Sequence, residues 1–145
     1  MKELLYLKDE QLKKFIERLF IGYRDSFADA KKTLAKYSIG IAHHKAMHLI
    51  SIYEGITISD LLNKLKVTKQ SLNRVLKDLI KQEVVLFKKN KKDTRLKHIF
   101  LSDKGKRIFN EIFLVQKKRI HNALLHSTSE EVLFFNNVLK KIVHE

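Results

Sequence analysis

The sequence predicts a mainly α-helical fold with one small β-hairpin, and three observations predict it. Proline is absent and glycine occurs only four times in 145 residues, so the two residues that most disrupt helices are scarce. Apolar residues recur every three or four positions along most of the chain, the spacing of one helix face. Between residues 84 and 101 that period gives way to β-branched, aromatic and alternating residues, the spacing of strands.

The length fits one domain, 1–145, and 44% hydrophobic residues can fill its core. Cysteine is absent, which excludes disulfides, thiolate metal sites and a thiol nucleophile and suits a reducing cytoplasm, the expected location. The N-terminus, Met1 to Glu10, has no apolar run of the kind a signal peptide needs. No stretch approaches the roughly 18 apolar residues of a membrane span, so no membrane partner is expected.

The elements follow in order. Leu12, Phe15, Ile16, Leu19, Tyr23, Phe27 and Leu34 form one stripe, predicting a long helix from 9 to about 35. Residues 36–41 interrupt it, with Gly40 as a turn residue, and a second helix over about 42–53 ends near Gly55 as its C-cap. Thr57-Ile58 is a short extended piece. Ser59 is the expected N-cap of a short third helix, about 60–66, with Asp60 in its first turn and Leu61, Leu62 and Leu65 inward. Val67-Thr68 is a tight connection, and Thr68 caps a fourth helix over about 69–82. One face of that helix is Leu72, Val75, Leu76, Leu79 and Ile80; the other is Lys69, Gln70, Asn73, Arg74, Lys77 and Lys81. Val84–Phe87 and Leu96–Leu101 read as the two strands of a hairpin with a polar, basic tip. Ser102-Asp103 caps a fifth helix, about 103–125. Ser127-x-x-Glu130 and Thr128-x-x-Glu131 are both capping boxes, and either starts a sixth helix with a stripe of Val132, Phe135, Val138, Leu139 and Ile142.

The formal net charge is +14, which suits a polyanionic partner. A lysine-rich composition alone would spread that charge evenly. Residues 64–97 instead carry twelve basic and three acidic residues, +9 of the +14 in under a quarter of the chain. A short helix, a tight turn, a longer helix with a basic face and a two-stranded ribbon make the plan of a winged helix-turn-helix.

The chain here resembles the MarR family. Asp93-Thr94-Arg95, the strand Leu96 to Leu101 and Leu101-Ser102-Asp103-Lys104-Gly105 are similar to the family's D-x-R, strand and L-[ST]-x-K-G. Thr68 to Leu76 resembles its recognition helix, with Arg74 at the family's arginine, and Ala42-His43-His44-Lys45 resembles an alphaproteobacterial branch. Two positions depart from the pattern: Glu83 stands where the family commonly has glycine, and Lys88-Lys89 follow Phe87 where it often has arginine. The resemblance implies terminal helices, 1–40 and 103–145, that intertwine into a homodimer around a DNA-binding lobe, 41–102. It also implies a pseudo-palindromic operator and allows a small-molecule effector between lobe and dimerisation helices. A monomer in which the same stripes only close its own core is the alternative.

The N-terminal half of a recognition helix faces base edges in the major groove. Gln70 and Asn73 can pair with adenine and Arg74 with guanine; Thr68 and Ser71 can bind phosphate or base; Lys69 and Lys77 suit phosphates. Lys91 and Lys92 are expected on the DNA backbone, and Ser59 joins the candidate set. The resemblance implies that Arg95 enters the minor groove, held by Asp93; a merely turn-stabilising pair is the plainer reading. His44 and His48 share a helix face, but two histidines without cysteine or a nearby carboxylate make a poor metal site. Packing or phosphate contact suits these histidines better, and no metal or cofactor is expected. No G-x-S-x-G, glycine-rich phosphate loop or H-E-x-x-H occurs, so the chain is not expected to be an enzyme. The expected function is sequence-specific regulation on double-stranded DNA. An architectural binder without sequence preference is the alternative, and a module whose basic face meets an acidic protein is a third.

Overall fold

The computed structural model describes residues 4–145. Met1–Glu3, at the start of the segment read for a leader and of the predicted 1–40 dimerisation segment, lie outside the described residues. A 3₁₀ turn at Leu5–Leu7 precedes α1 (Asp9–Ala28), α2 (Lys31–Lys36), α3 (Ile41–Ile52), β1 (Ile56–Thr57), α4 (Ile58–Leu65), α5 (Lys69–Lys81), β2 (Val85–Lys89), β3 (Lys97–Leu101), α6 (Asp103–Leu125) and α7 (Ser129–Ile142). The predicted class holds: helices around a small antiparallel sheet. The chain divides into two compact units, Ala30–Phe113 and Met1–Asp29 with Leu114–Glu145.

The unit Ala30–Phe113 contains the buried apolar cluster, with Met47, Ile50, Leu61, Leu72, Leu79, Val84, Ile99 and Ile112 essentially inaccessible. The hairpin gains a third strand: β1 pairs antiparallel with β3, giving the order β1-β3-β2, with Thr57 opposite His98 and Phe87 opposite Ile99. This pairing corrects the expected start of the third helix. The extended backbone ends at Thr57, whose hydroxyl accepts from Asp60 N at 3.2 Å, so Thr57 and not Ser59 is the N-cap. Gly40, read as a turn residue, caps α3, and Gly55 lies beyond the helix's true C-cap, Tyr53. Gly55 has φ +82 and donates its N–H to Ile99 O at 3.0 Å, and a Cβ there would come within 3.2 Å of the Phe100 ring.

Helices end here largely without glycine. Ser38, Lys66 and Glu83 all take left-handed backbone conformations, each at a cost on the order of 1 kcal/mol. At Glu83 the Schellman pattern is complete, with Glu83 N donating to Ile80 O and Val84 N to Leu79 O, both at 2.9 Å. The hydrophobic contact of that motif falls between Leu79 and Val84, both fully buried, and this holds a glutamate where glycine is more usual. The pattern absorbs Val84, so the first hairpin strand starts one residue later than expected and extends to Lys89. Ser102 then caps α6, accepting from Gly105 N at 2.9 Å and donating to Glu83 O at 2.6 Å. A Cβ on Gly105 would stand 2.0 Å from Val84 O, which explains the glycine in the Leu101–Gly105 motif.

In the other unit the predicted long first helix is interrupted. The apolar period runs on past residue 28, but α1 stops there and Ala30 opens α2 with φ −92 and ψ −2. No proline or glycine marks the break. The side chain that meets it is remote in sequence: the Arg119 guanidinium donates to both Asp29 carboxylate oxygens, at 2.7 and 3.0 Å. That contact holds the Asp29 carboxyl below the usual carboxylate range. Of the two candidate caps for the last helix, Thr128 is used and accepts from Glu131 N. Neither α1 nor α7 buries any residue within the chain. Phe20 is 55% exposed, Phe134 61% and Phe135 48%. Of the predicted stripes, Leu34, Ile108 and Ile112 enter the buried cluster, whereas the parts on α1 and α7 stay outside it.

Candidate nucleic-acid interface

The turn between α4 and α5 is built from Lys66 in the left-handed region, Val67 and the N-cap Thr68. Thr68 Oγ1 accepts from Ser71 N at 3.1 Å and donates to Ser71 Oγ at 2.8 Å, so these two predicted contact residues support each other. Burial of Leu72, Leu76 and Leu79 fixes how α5 is rotated. Gln70, Asn73, Arg74 and Lys77 are then left exposed at i, i+3, i+4 and i+7, with Lys69 exposed at the N-terminus. Among the described residues these five side chains make no hydrogen bond or ion pair, so their donors and acceptors are available to a ligand. Ser59 is exposed on the first turn of α4.

The acid on α5, Asp78, is answered from α3. His43 Nδ1 accepts from Gly40 N at 3.2 Å, which leaves Nε2 to donate to Asp78 Oδ2 at 2.9 Å. The phosphate contact considered for these histidines gives way at His43 to a tie onto the recognition helix. His44 is fully buried and His48 packs edge-on to Phe109, so both are packing residues. Among the described residues no group of three or more His, Cys, Asp or Glu could hold a metal ion.

The wing carries its charge on a stiff frame. Lys88 stands opposite His98 and Lys89 opposite Lys97. Like charges directly across a ladder are destabilising unless an anion lies against them. Lys88 Nζ also sits 4.9 Å from the Phe100 ring centroid. Beyond the strands, Lys91, Lys92 and Arg95 are exposed and Asp93 is half-buried. Asp93 accepts from Arg95 N and Nε, both at 3.1 Å, and from Nη2 at 3.3 Å. The guanidinium and then the backbone N–H beside it hold the Asp93 carboxyl below its ordinary range. The tip also depends on Asn90 and His98, which the sequence reading passed over. Asn90 Oδ1 accepts from Lys92 N at 2.8 Å and Asp93 N at 3.1 Å. The signal was an asparagine between two strands, a residue suited to organising a turn through its side chain.

A recognition helix with an unpartnered polar face beside a basic wing defines a winged helix-turn-helix of the DNA-binding kind. The comparisons agree. The MarR family model matches residues 39–97. The chain is 39% identical over 140 residues to the HTH-type transcriptional regulator PetP of Rhodobacter capsulatus, covering 97% of this chain and 84% of that protein. Among solved structures, a MarR-family regulator from Silicibacter pomeroyi superposes with TM-score 0.77 at 18% identity, covering 98% of this chain and 94% of its own. A mutant MarR from E. coli complexed with operator DNA superposes with TM-score 0.66 at 21% identity, covering 97% and 99%. The chain belongs to the MarR family of transcriptional regulators, with PetP-like sequence character.

Proposed function

We propose that this regulator binds double-stranded DNA sequence-specifically, as a homodimer on a pseudo-palindromic operator. The observation that carries the reading is the α5 face of Gln70, Asn73, Arg74 and Lys77. It is exposed and unpartnered among the described residues, on a helix fixed by a capped turn. Glutamine, asparagine and arginine are the side chains that read adenine and guanine in the major groove. Ser59, Thr68, Ser71, Lys69 and Lys77 position the helix on phosphates and neighbouring edges, and Lys91, Lys92 and Arg95 extend contact along the wing.

The second copy of the chain covers the apolar faces of α1, α7 and the end of α6, in line with dimerisation segments at 1–40 and 103–145. Two-fold symmetry then demands a two-fold site. An effector also has a place. Within Ala30–Phe113 an open cleft of about 590 Å³ is lined by His48, Ser51, Lys106, Phe109, Asn110 and Phe113, among others. Burial lowers the His48 pKa, and its Nδ1 has no hydrogen-bond partner among the described residues. An apolar cleft with a few polar groups suits a small molecule. Such a ligand changes DNA occupancy only by binding one dimer geometry better than the other.

Hydroxyl-radical footprinting on the region upstream of the chain's own reading frame tests the arrangement. The expected pattern is two protected patches about one helical turn apart, related by a dyad. Protection without phase or symmetry would overturn the two-fold reading.

A further inference from the structure

The wing tip is tied to the body of the fold by an unbroken run of hydrogen bonds whose donors and acceptors can be assigned one way. It begins at Gly55 O in the turn before β1. His98 Nδ1, on β3, lies 2.8 Å from that carbonyl oxygen. A carbonyl only accepts, so Nδ1 carries a proton, which leaves Nε2 as the ring nitrogen that can present a lone pair. Asn90 Nδ2 donates to Nε2 at 3.0 Å. That fixes the Asn90 amide, with Oδ1 turned to the N–H groups of Lys92 and Asp93 at 2.8 and 3.1 Å. A flipped amide would set Oδ1 against the ring lone pair and the NH₂ against the two backbone N–H groups, so one orientation satisfies every partner. Asp93, placed by this turn, accepts from Arg95 at three nitrogens. Arg95 itself is 89% exposed at its side chain and would otherwise be free to wander.

We propose that Asn90 and His98 are positioning residues for DNA recognition: they hold the Asp93–Arg95 pair so that the Arg95 guanidinium meets the duplex already ordered. Neither touches DNA in this account. An arginine ordered before binding loses less side-chain freedom on binding, and the affinity rises by that difference. The inference rests on the reading of Arg95 as a DNA-contacting residue, and the test separates the two.

The test is a double-mutant cycle read by fluorescence anisotropy on a fluorescein-labelled duplex from the region upstream of the chain's own reading frame. The variants are Asn90→Ala, His98→Asn and Arg95→Ala, singly and with Arg95→Ala combined with each of the others. His98→Asn is chosen because the asparagine amide can still donate towards Gly55 O while the link to Asn90 is lost. Circular dichroism melts establish that each variant is folded at the assay temperature. Asn90→Ala and His98→Asn should each weaken binding, on the order of fivefold. Neither should weaken it further once Arg95 is alanine. The dependence on salt should keep its slope in Asn90→Ala, because no phosphate contact is removed. Asn90→Asp, which still accepts from both backbone N–H groups, should lose less than Asn90→Ala. The proposal is overturned if both single variants bind as the parent does, or if they weaken binding equally with and without Arg95. An Arg95→Ala variant that binds like the parent would instead remove the DNA role of the wing, and the positioning role with it.

Discussion

Arg74→Ala will cost the regulator its choice among duplexes more than its hold on DNA. Arg74 is exposed in the middle of the α5 face and makes no ion pair or hydrogen bond among the described residues, so its truncation leaves no buried group unsatisfied. The fold should therefore melt as before. A bidentate arginine–guanine contact is worth roughly 1–3 kcal/mol of discrimination, which a two-fold dimer loses at both half-sites. Affinity for a selected site should fall steeply while affinity for random duplex changes little. Lys77→Ala provides the contrast, since a phosphate contact carries no sequence information. It should weaken all duplexes alike and lower the salt slope by about one. Anisotropy titrations of each variant on selected and random duplex, over a range of salt, read both effects.

A glutamate on an exposed apolar position of α1 or α7 will dismantle the protein as a regulator while sparing the lobe. Phe20 on α1 and Phe135 on α7 are about half exposed within the chain, and neither helix buries a residue of its own. In the proposed dimer their apolar area leaves water, and obligate homodimer interfaces run from about 2,000 Å² upwards and are the more hydrophobic kind. Phe20→Glu or Phe135→Glu puts a charge into that interface without a partner. If the proposed dimer forms through these faces, sedimentation should show the parent as a dimer and the variants as monomers. A monomer holding one half-site should bind far more weakly, towards the non-specific range of about 10⁻⁴–10⁻⁶ M. The apolar cluster of Ala30–Phe113 contains neither residue, so its cooperative unfolding should survive. Variants that remain dimeric with unchanged DNA affinity would place the dimer contact elsewhere.

Most of the recognition lobe was legible because it is local. Thr68 as a cap, the Leu72–Leu76–Leu79 stripe and the opposite polar face all follow from helical period and side-chain chemistry within fifteen residues. The features that escaped are set by distant partners. The end of α1 coincides with a contact from Arg119, ninety residues away. The start of α4 moved because β1 found β3, more than forty residues on. Glu83 keeps a left-handed conformation because Leu79 and Val84 are buried together, which no propensity of glutamate would suggest. The wing shows both sides: Asp93–Arg95 is a motif two residues long, whereas Asn90 and His98 acquire meaning only when the hairpin brings them to 3.0 Å.

The most direct test of sequence-specific recognition is competition by fluorescence anisotropy at about physiological salt. A pool of genomic fragments, including the region upstream of the chain's own reading frame, competes against random duplex. At least one fragment should be preferred by roughly a thousandfold or more. Equal affinity for every duplex would contradict it and leave an architectural binder held by charge alone.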